Sequence, residues 1–238
     1  MIFFLKKYSG LLAPRKVQHF AKVFLPWILG ISFLCLGIGA FWGLVLAPND
    51  YQQGSFVKMM YIHVPSSWGA LGVFSLMALF SVMALISRIP LYFYLTQAVA
   101  PIGALFCFLS LVTGSLWGKP TWGTWWVWDA RLTSMLILFF LYLGYLNFVH
   151  HLDWQRGWMI ATLIPILGWI NIPIIKWSVD WWHTLHQPAS LLRLAKPAIH
   201  PEFLGPLFMM TLGFTFYTIG LSLWRFSLIL QQHRYNRG

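Results

Sequence analysis

The chain has 238 residues, of which 59% are hydrophobic and only 9% are charged, whereas a typical soluble domain carries about 25% charged residues. So few charges could not cover the surface of a soluble domain. The formal net charge of +11 does not indicate a nucleic-acid partner, because the basic residues lie between long apolar runs rather than on one polar face. The composition therefore predicts a protein whose solvent is membrane lipid.

Six apolar segments contain no Asp, Glu, Lys or Arg, and each is near or above the roughly 20 residues that a helix needs to cross a bilayer. Only helices and closed barrels satisfy their backbone in lipid, and these segments lack the alternation of barrel strands. We predict an all-α integral membrane bundle of six transmembrane helices with a Trp-rich external loop, in a single domain over 1–238. The predicted spans are 24–47, 64–87, 89–118, 132–149, 157–175 and 203–224.

The basic residues are unevenly divided between the two sets of connecting segments. By the positive-inside rule, the more basic set faces the cytoplasm, so both termini are predicted there. That set holds Lys6, Lys7, Arg15, Lys16, Lys22, Arg88, Arg156, Arg225, Arg234 and Arg237. The opposite, outer set holds Lys58, Lys119, Arg131, Lys176, Arg193 and Lys196, together with four acidic residues.

Tryptophan is concentrated in the outer segments. Eight of the 15 tryptophans lie there: Trp117, Trp122, Trp125, Trp126, Trp128, Trp177, Trp181 and Trp182. An interfacial aromatic belt explains about two tryptophans at each helix end, but not the five between Trp117 and Trp128.

If residues 122–129 form a helix, Trp122, Trp125, Trp126 and Asp129 share one face and make an aromatic platform for a large planar ligand. Gly118, Pro120 and Gly123 would then form a turn leading into that helix. Asp129 has an alternative or additional role, as the N-cap of the next span.

Two histidines flank the outer ends of spans on separate segments, His63 before the second span and His186 after the fifth. A single interfacial histidine is usually an ordinary polar residue, but two histidines beside an aromatic platform indicate a ligand-binding site. Neutral imidazole is a common ligand of haem iron, and two such segments could ligate one iron from opposite faces. A zinc site is disfavoured because Cys35 and Cys107 both lie in apolar runs, and His183 with His186 is a weaker metal pair.

Three stretches resemble the signature of the WWD-domain haem-handling proteins of cytochrome c biogenesis. They are Trp122–Asp129 with the preceding Gly114–Trp122, Tyr61–Pro65, and Trp181–Gln187. Six spans and a small size resemble the CcmC family of the system I pathway in particular. The resemblance covers most of the chain.

The resemblance implies a site and a cargo. It places the two axial ligands of haem iron on His63 and His186, and it implies haem b as the bound group. The residues that it implies for the haem platform are Trp122, Trp125, Trp126, Trp128 and Asp129. No catalytic residue is implied, and a haem lyase activity toward a chaperone stays open.

The resemblance also implies surroundings and partners. It implies a bacterial inner membrane, with the haem site on the periplasmic face. The partners are the haem chaperone CcmE, the ABC-type subunits CcmA and CcmB, and the small protein CcmD.

The sequence has no P-loop, so the chain is not an ATPase by itself. Candidate partners for the haem propionates are Lys119, Arg131, Arg193 and the indole N–H groups.

Three other functions compete with presentation of haem at the outer face. A channel-type haem transporter of an ABC complex would need a polar path through the spans, which hold only scattered polar residues such as Asn147 and Asn171. A membrane cytochrome subunit would place its histidines within helices, at membrane depth. An ABC permease subunit with an ordinary aromatic belt would bind no haem.

Overall fold

The computed structural model describes residues 14–151, 154–186 and 199–235. In these ranges the chain is helical, without a β-strand beyond one isolated bridge between Asp50 and Gly54. The α-helices are α1 (Pro14–Phe41), α2 (Met60–Ser87), α3 (Pro90–Trp122), α4 (Ala130–His150), α5 (Trp154–Gly168), α6 (Asn171–Trp181) and α7 (Pro201–Tyr235). A π-helical turn, Trp42–Leu46, extends α1, and a 3-10 turn, Ser55–Met59, precedes α2.

Six of the resulting helical segments are long and apolar enough to cross a membrane. This confirms the prediction of an all-α, multi-pass membrane bundle. The segments are Lys16–Leu46, Ser55–Ser87, Pro90–Trp122, Ala130–His150, Gly157–Trp181 and Pro201–Gln232. All six are longer than the predicted spans, because the helices continue through polar residues at their ends.

The fifth span differs from the uninterrupted helix predicted over 157–175. The segment breaks between α5 and α6, at Trp169 and Ile170, and α6 continues to Trp181. Pro173 has no N–H to donate to the Trp169 carbonyl four residues earlier. The N–H of Ile172 donates to that carbonyl instead, at 2.9 Å. The proline thus leaves a tight turn where the apolar pattern alone indicates a continuous helix.

Glycines allow the helices of the bundle to approach closely. A Cβ on Gly213 of α7 would lie 2.7 Å from Leu36 of α1, and one on Gly103 of α3 would lie 2.2 Å from the Tyr142 hydroxyl of α4. Small residues at such contacts are typical of membrane helix packing. Tyr142 is fully buried and donates a hydrogen bond to the Ala70 carbonyl of α2 at 2.7 Å. It therefore ties α2, α3 and α4 into one core.

Candidate functional site

Four helix ends meet at one end of the bundle, which we call the Trp-rich end. They are the start of α2, the end of α3, the start of α4 and the end of α6. The segments that these ends carry include the tryptophans of 117–128 and 177–182 and both histidines singled out in the sequence. Helix topology therefore places every predicted site residue at this end.

Residues 122–129 do not form a helix, so the condition for a single aromatic face is not met. Helix α3 runs through Gly118 and Pro120, ends at Trp122, and is followed by irregular backbone up to Asp129. Gly123 ends the helix in the left-handed region, at φ 79°, and its N–H donates to the Lys119 carbonyl at 3.0 Å. A glycine just past a helix is a common terminator, because it adopts positive φ without a Cβ penalty. The turn therefore follows Trp122 rather than leading into a helix.

The platform tryptophans consequently do not share one helical face. Trp125 and Trp128 are exposed, whereas Trp122 and Trp126 are partly buried. The Trp126 ring packs edge-on against Trp128, with centroids 5.5 Å apart. The Trp126 Nε1 is buried and has no hydrogen-bond partner among the described residues, which leaves an unused donor in the middle of the Trp-rich segment.

His63 lies in the first turn of α2, inside a membrane-spanning helix. The expectation that it flanks the span therefore needs correction. Its Nδ1 lies 3.0 Å from the Ser110 carbonyl oxygen and 3.2 Å from the Thr113 hydroxyl, both on α3. The Thr113 hydroxyl donates its own proton to the Leu109 carbonyl, at 2.6 Å. Both groups facing Nδ1 therefore act as acceptors, and the ring proton sits on Nδ1.

The other faces of His63 are closely packed. A Cβ on Gly114 would lie 3.0 Å from the His63 Cε1. The Trp117 ring packs edge-on against the imidazole, with centroids 5.8 Å apart. Trp117 is itself held by a 2.8 Å hydrogen bond from its Nε1 to the Gln53 side chain. The His63 Nε2 has no hydrogen-bond partner among the described residues, and its lone pair is free to bind a metal.

His186 follows α6 and faces Asp129, which stands just before α4. Its Nδ1 lies 3.4 Å from the Asp129 Oδ2, at the long end of hydrogen-bond distances. Trp122 packs edge-on against the imidazole, with centroids 4.7 Å apart. A carboxylate oxygen only accepts, so the proton of neutral His186 also sits on Nδ1. Its Nε2 has no hydrogen-bond partner in the described part of the chain.

The two histidines pack against the same end of α3. Trp117 contacts the His63 ring, and Trp122, five residues further along the chain, contacts the His186 ring. Burial lowers the pKa of His186; the Asp129 carboxylate raises it in part, and Arg131 lowers it further. The neutral imidazole that results at neutral pH is the form that ligates metals.

Asp129 is confirmed as the N-cap of α4. Its Oδ1 accepts a 2.7 Å hydrogen bond from the backbone N–H of Leu132. The residue is 8% exposed, and a buried carboxylate requires such partners. Asp129 therefore belongs to the helix start and to the surroundings of His186 at the same time.

The basic residues predicted to meet propionates have distinct environments. Arg131 donates from a terminal nitrogen to the Lys176 carbonyl at 3.1 Å, and its buried Nε has no partner within the described residues. Lys119 donates to the Gly123 carbonyl at 3.0 Å and lies 6.0 Å from the centre of the Trp125 ring. Arg193 lies outside the described residues. Of the two described residues, Arg131 alone keeps an unused buried donor.

Several site contacts were not predicted from the sequence. Ser110 and Thr113, three residues apart in an otherwise apolar run, are a detectable polar signal on one helix face. Thr184, two residues before His186, is a typical turn residue. Its hydroxyl donates to the Asp129 Oδ2, but no sequence pattern links residues 55 positions apart.

The weaker histidine pair is not assembled into a metal centre. His183 is exposed, and no cluster of three or more His, Cys, Asp or Glu suited to a metal ion occurs among the residues that the structure describes. The donor set at the Trp-rich end is thus two imidazoles with free Nε2 atoms. This set suits a metal that already carries equatorial ligands, as haem iron does.

Comparison with known proteins relates this site to a family. The family model described as "Heme exporter protein C" (CcmC) matches residues 7–238. The heme exporter protein C of Bradyrhizobium diazoefficiens is 46% identical over 224 residues, which cover 93% of this chain and 85% of that protein. The Haemophilus influenzae protein of the same name is 48% identical over 206 residues, covering 86% and 84%.

The Escherichia coli K12 heme exporter protein C is 40% identical over 221 residues, covering 92% of this chain and 89% of that protein. Identity at this level over nearly full length applies to the whole six-span chain and not to one motif. The chain therefore belongs to the CcmC family of heme exporter proteins.

Proposed function

We propose that this protein binds haem b at its Trp-rich end and presents it to a haem chaperone of the CcmE type for cytochrome c maturation. Haem is cargo here, held and then released. His63 and His186 supply the two axial ligands to the iron. Trp122, Trp125, Trp126 and Trp128 cover the porphyrin, and Asp129 belongs to the same site.

The observation that carries this proposal is the shared tautomer of the two histidines. Each donates its Nδ1 proton to a fixed acceptor, the Ser110 carbonyl in one case and the Asp129 carboxylate in the other. Metal-binding histidines are commonly oriented in this way by their second nitrogen. The arrangement leaves the Nε2 lone pair of each histidine available at the end of α3, where Trp117 packs against His63 and Trp122 against His186, and one haem iron has room for two axial ligands.

The surroundings suit a charged, planar, largely apolar cargo. Exposed indole rings at Trp125 and Trp128 offer apolar surface at the mouth of the site. The unused donors of Trp126 and Arg131 are buried, and a buried donor without a partner costs about 1–3 kcal/mol. Haem propionates are acceptors of the kind that would satisfy them.

The location of the site favours transfer over permanent storage. His186 is in irregular backbone outside the spans, whereas His63 is anchored in α2. One ligand on a rigid helix and one on a connecting segment allow binding that is firm but reversible. The distribution of basic residues favours the non-cytoplasmic side of the membrane for the Trp-rich end. In this proposal that side is the periplasmic face of the inner membrane, where CcmE would receive the haem. CcmA, CcmB and CcmD are the proposed membrane partners.

A transfer assay tests this function. The purified protein, loaded with haem in detergent, is mixed with apo-CcmE, and covalent haem on CcmE is followed by haem staining of denaturing gels. We expect transfer from the wild type and from His183→Ala, whose exposed imidazole the proposal does not use. We expect a loss of about 10-fold or more from His63→Ala and His186→Ala. Equal transfer from all four proteins would contradict the proposal.

The competing functions make different predictions in the same preparation. A membrane cytochrome subunit should exchange electrons with a quinol, so rapid reduction of the bound haem by a quinol would favour that alternative. The position of His63 within α2 is a feature that such a cytochrome would share. A permease subunit with an aromatic belt would bind no haem, even after reconstitution.

A further inference from the structure

Asp129 uses its two carboxylate oxygens for two different purposes. Oδ1 accepts the backbone N–H of Leu132 at the start of α4. Oδ2 faces the segment after α6, where it accepts the hydroxyl proton of Thr184 and lies 3.4 Å from the His186 Nδ1. The Asp129 side chain is 4% exposed and that of His186 is 20% exposed. One buried carboxylate therefore joins a helix start to a ligand-bearing segment.

Thr184 closes this arrangement into a ring of hydrogen bonds. Its hydroxyl donates to the Asp129 Oδ2 and accepts the backbone N–H of His186 at 3.2 Å. The imidazole of His186 thus faces the Asp129 Oδ2 directly, and the backbone N–H of His186 is connected to the same oxygen through the Thr184 hydroxyl. Trp122 packs edge-on against the ring from α3 and restricts its rotation.

This geometry leaves Asp129 little capacity to contact a haem directly. Both of its oxygens have partners within the protein, and its side chain is nearly inaccessible. The Nε2 of His186 lies on the side of the ring away from Nδ1 and therefore away from the carboxylate. Asp129 can act on a metal only through the imidazole.

We propose that Asp129 and Thr184 are positioning residues, which hold His186 with its Nε2 presented to the haem iron and strengthen it as a donor. This inference rests on the proposed haem site. It reassigns Asp129 from the haem platform to the support of one axial ligand, and it gives Thr184 a role. A carboxylate partner raises the basicity of a metal-binding imidazole and stabilises the ferric state, so it lowers the reduction potential of the haem.

Substitutions can separate this role from the helix cap. In Asp129→Ser the hydroxyl keeps an N-cap acceptor for the Leu132 N–H but is too short to reach His186. Thr184→Val removes the hydroxyl at nearly constant volume, and Thr184→Ser keeps it. Thr215→Val, at an exposed hydroxyl that donates to the Thr211 carbonyl of its own helix, is the matched control for loss of a threonine hydroxyl.

The measurements are the visible spectrum, haem retention and reduction potential of the purified haem-bound protein. We expect Asp129→Ser and Thr184→Val to lose low-spin, six-coordinate haem and to retain haem about 10-fold to 100-fold less tightly, with a raised potential. Added imidazole should restore the low-spin spectrum, because it replaces a misplaced ligand. Thr184→Ser and Thr215→Val should resemble the wild type.

Two outcomes are kept apart by the same experiment. In one outcome, Asp129→Ser and Thr184→Val both keep the wild-type spectrum, haem retention and reduction potential, while His186→Ala loses its low-spin haem. That outcome would overturn the positioning role and leave the proposed function intact. A wild type that binds no haem, or a His186→Ala protein with an unchanged spectrum, would overturn the proposed site itself, and the positioning role with it.

Discussion

The Nδ1 of His63 lies 3.0 Å from the backbone oxygen of Ser110, across the contact between α2 and α3. A backbone carbonyl cannot donate, so this contact determines which nitrogen of His63 carries the proton. No side-chain substitution at Ser110 removes that oxygen. The ligand is thus oriented by the packing of two helices, and disturbing their separation should disturb the ligand.

A larger residue at Gly114 is a direct way to move the His63 imidazole. A Cβ there would lie 3.0 Å from the His63 Cε1 and 3.4 Å from Nδ1. We expect Gly114→Val to move the imidazole and to weaken haem retention about 10-fold, with a smaller effect from Gly114→Ala. Haem stoichiometry and the Soret band of the purified proteins measure this. Gly72→Ala, at a site with open space, is the control; wild-type haem content in Gly114→Val would argue against a role for His63.

A substitution at Trp126 should lower haem retention without lowering the stability of the haem-free protein. Because its buried Nε1 lacks a partner among the described residues, Trp126→Phe removes an unsatisfied donor, and the haem-free protein should be equally stable or more stable by about 1 kcal/mol. Haem retention should fall, because the proposed function uses this donor to bind a haem propionate. The control is Trp224→Phe, at an exposed ring of α7. Thermal unfolding and haem retention in detergent are measured for both variants. A stability loss without a change in haem retention would count against the assignment.

The core of the bundle should be intolerant at Gly103. A Cβ there would lie 2.2 Å from the Tyr142 hydroxyl, which is fixed by its hydrogen bond to Ala70. We expect Gly103→Ala to destabilise the protein by about 1–3 kcal/mol. Gly144→Ala, on α4 with nothing within 4 Å, should be neutral or stabilising, because alanine favours helix. Midpoints of thermal unfolding distinguish the two; equal midpoints would contradict this packing.

Cysteine labelling can test which side of the membrane the Trp-rich end faces. Tyr51, beside the Trp-rich end, is 90% exposed, and His151, at the opposite end of α4, is also exposed. We expect Tyr51→Cys to react with a membrane-impermeant maleimide in spheroplasts, and His151→Cys only after permeabilisation. The native Cys35 and Cys107 are buried and supply little background. The reverse pattern would place the site on the cytoplasmic face.

Apolar length and charge predicted the six spans, because these properties are local and the bilayer imposes one thickness. The N-cap role of Asp129 was predictable for the same reason. The spacing of the tryptophans would suit a helix over 122–129, but Gly123 ends α3 just before Trp125, Trp126 and Trp128. The break at Trp169 depends on Pro173, whose effect a count of apolar residues misses.

The pairings of Asp129 with His186 and with Thr184, and the pairing of His63 with Ser110, are tertiary contacts. Their partners are 57, 55 and 47 residues apart along the chain, respectively, for Asp129–His186, Asp129–Thr184 and His63–Ser110. Periodicity and spacing contain no information at that distance. The resemblance pointed to the two histidines, but it did not indicate what orients them.

In the proposed function, one haem is held between His63 and His186. The most direct measurement is the visible spectrum of the purified protein beside His63→Ala, His186→Ala and His183→Ala, at matched expression. We expect a low-spin bis-histidine spectrum in the wild type and in His183→Ala, and its loss or alteration in the other two variants. A wild type that binds no haem after reconstitution, or unchanged spectra in both His63→Ala and His186→Ala, would contradict it.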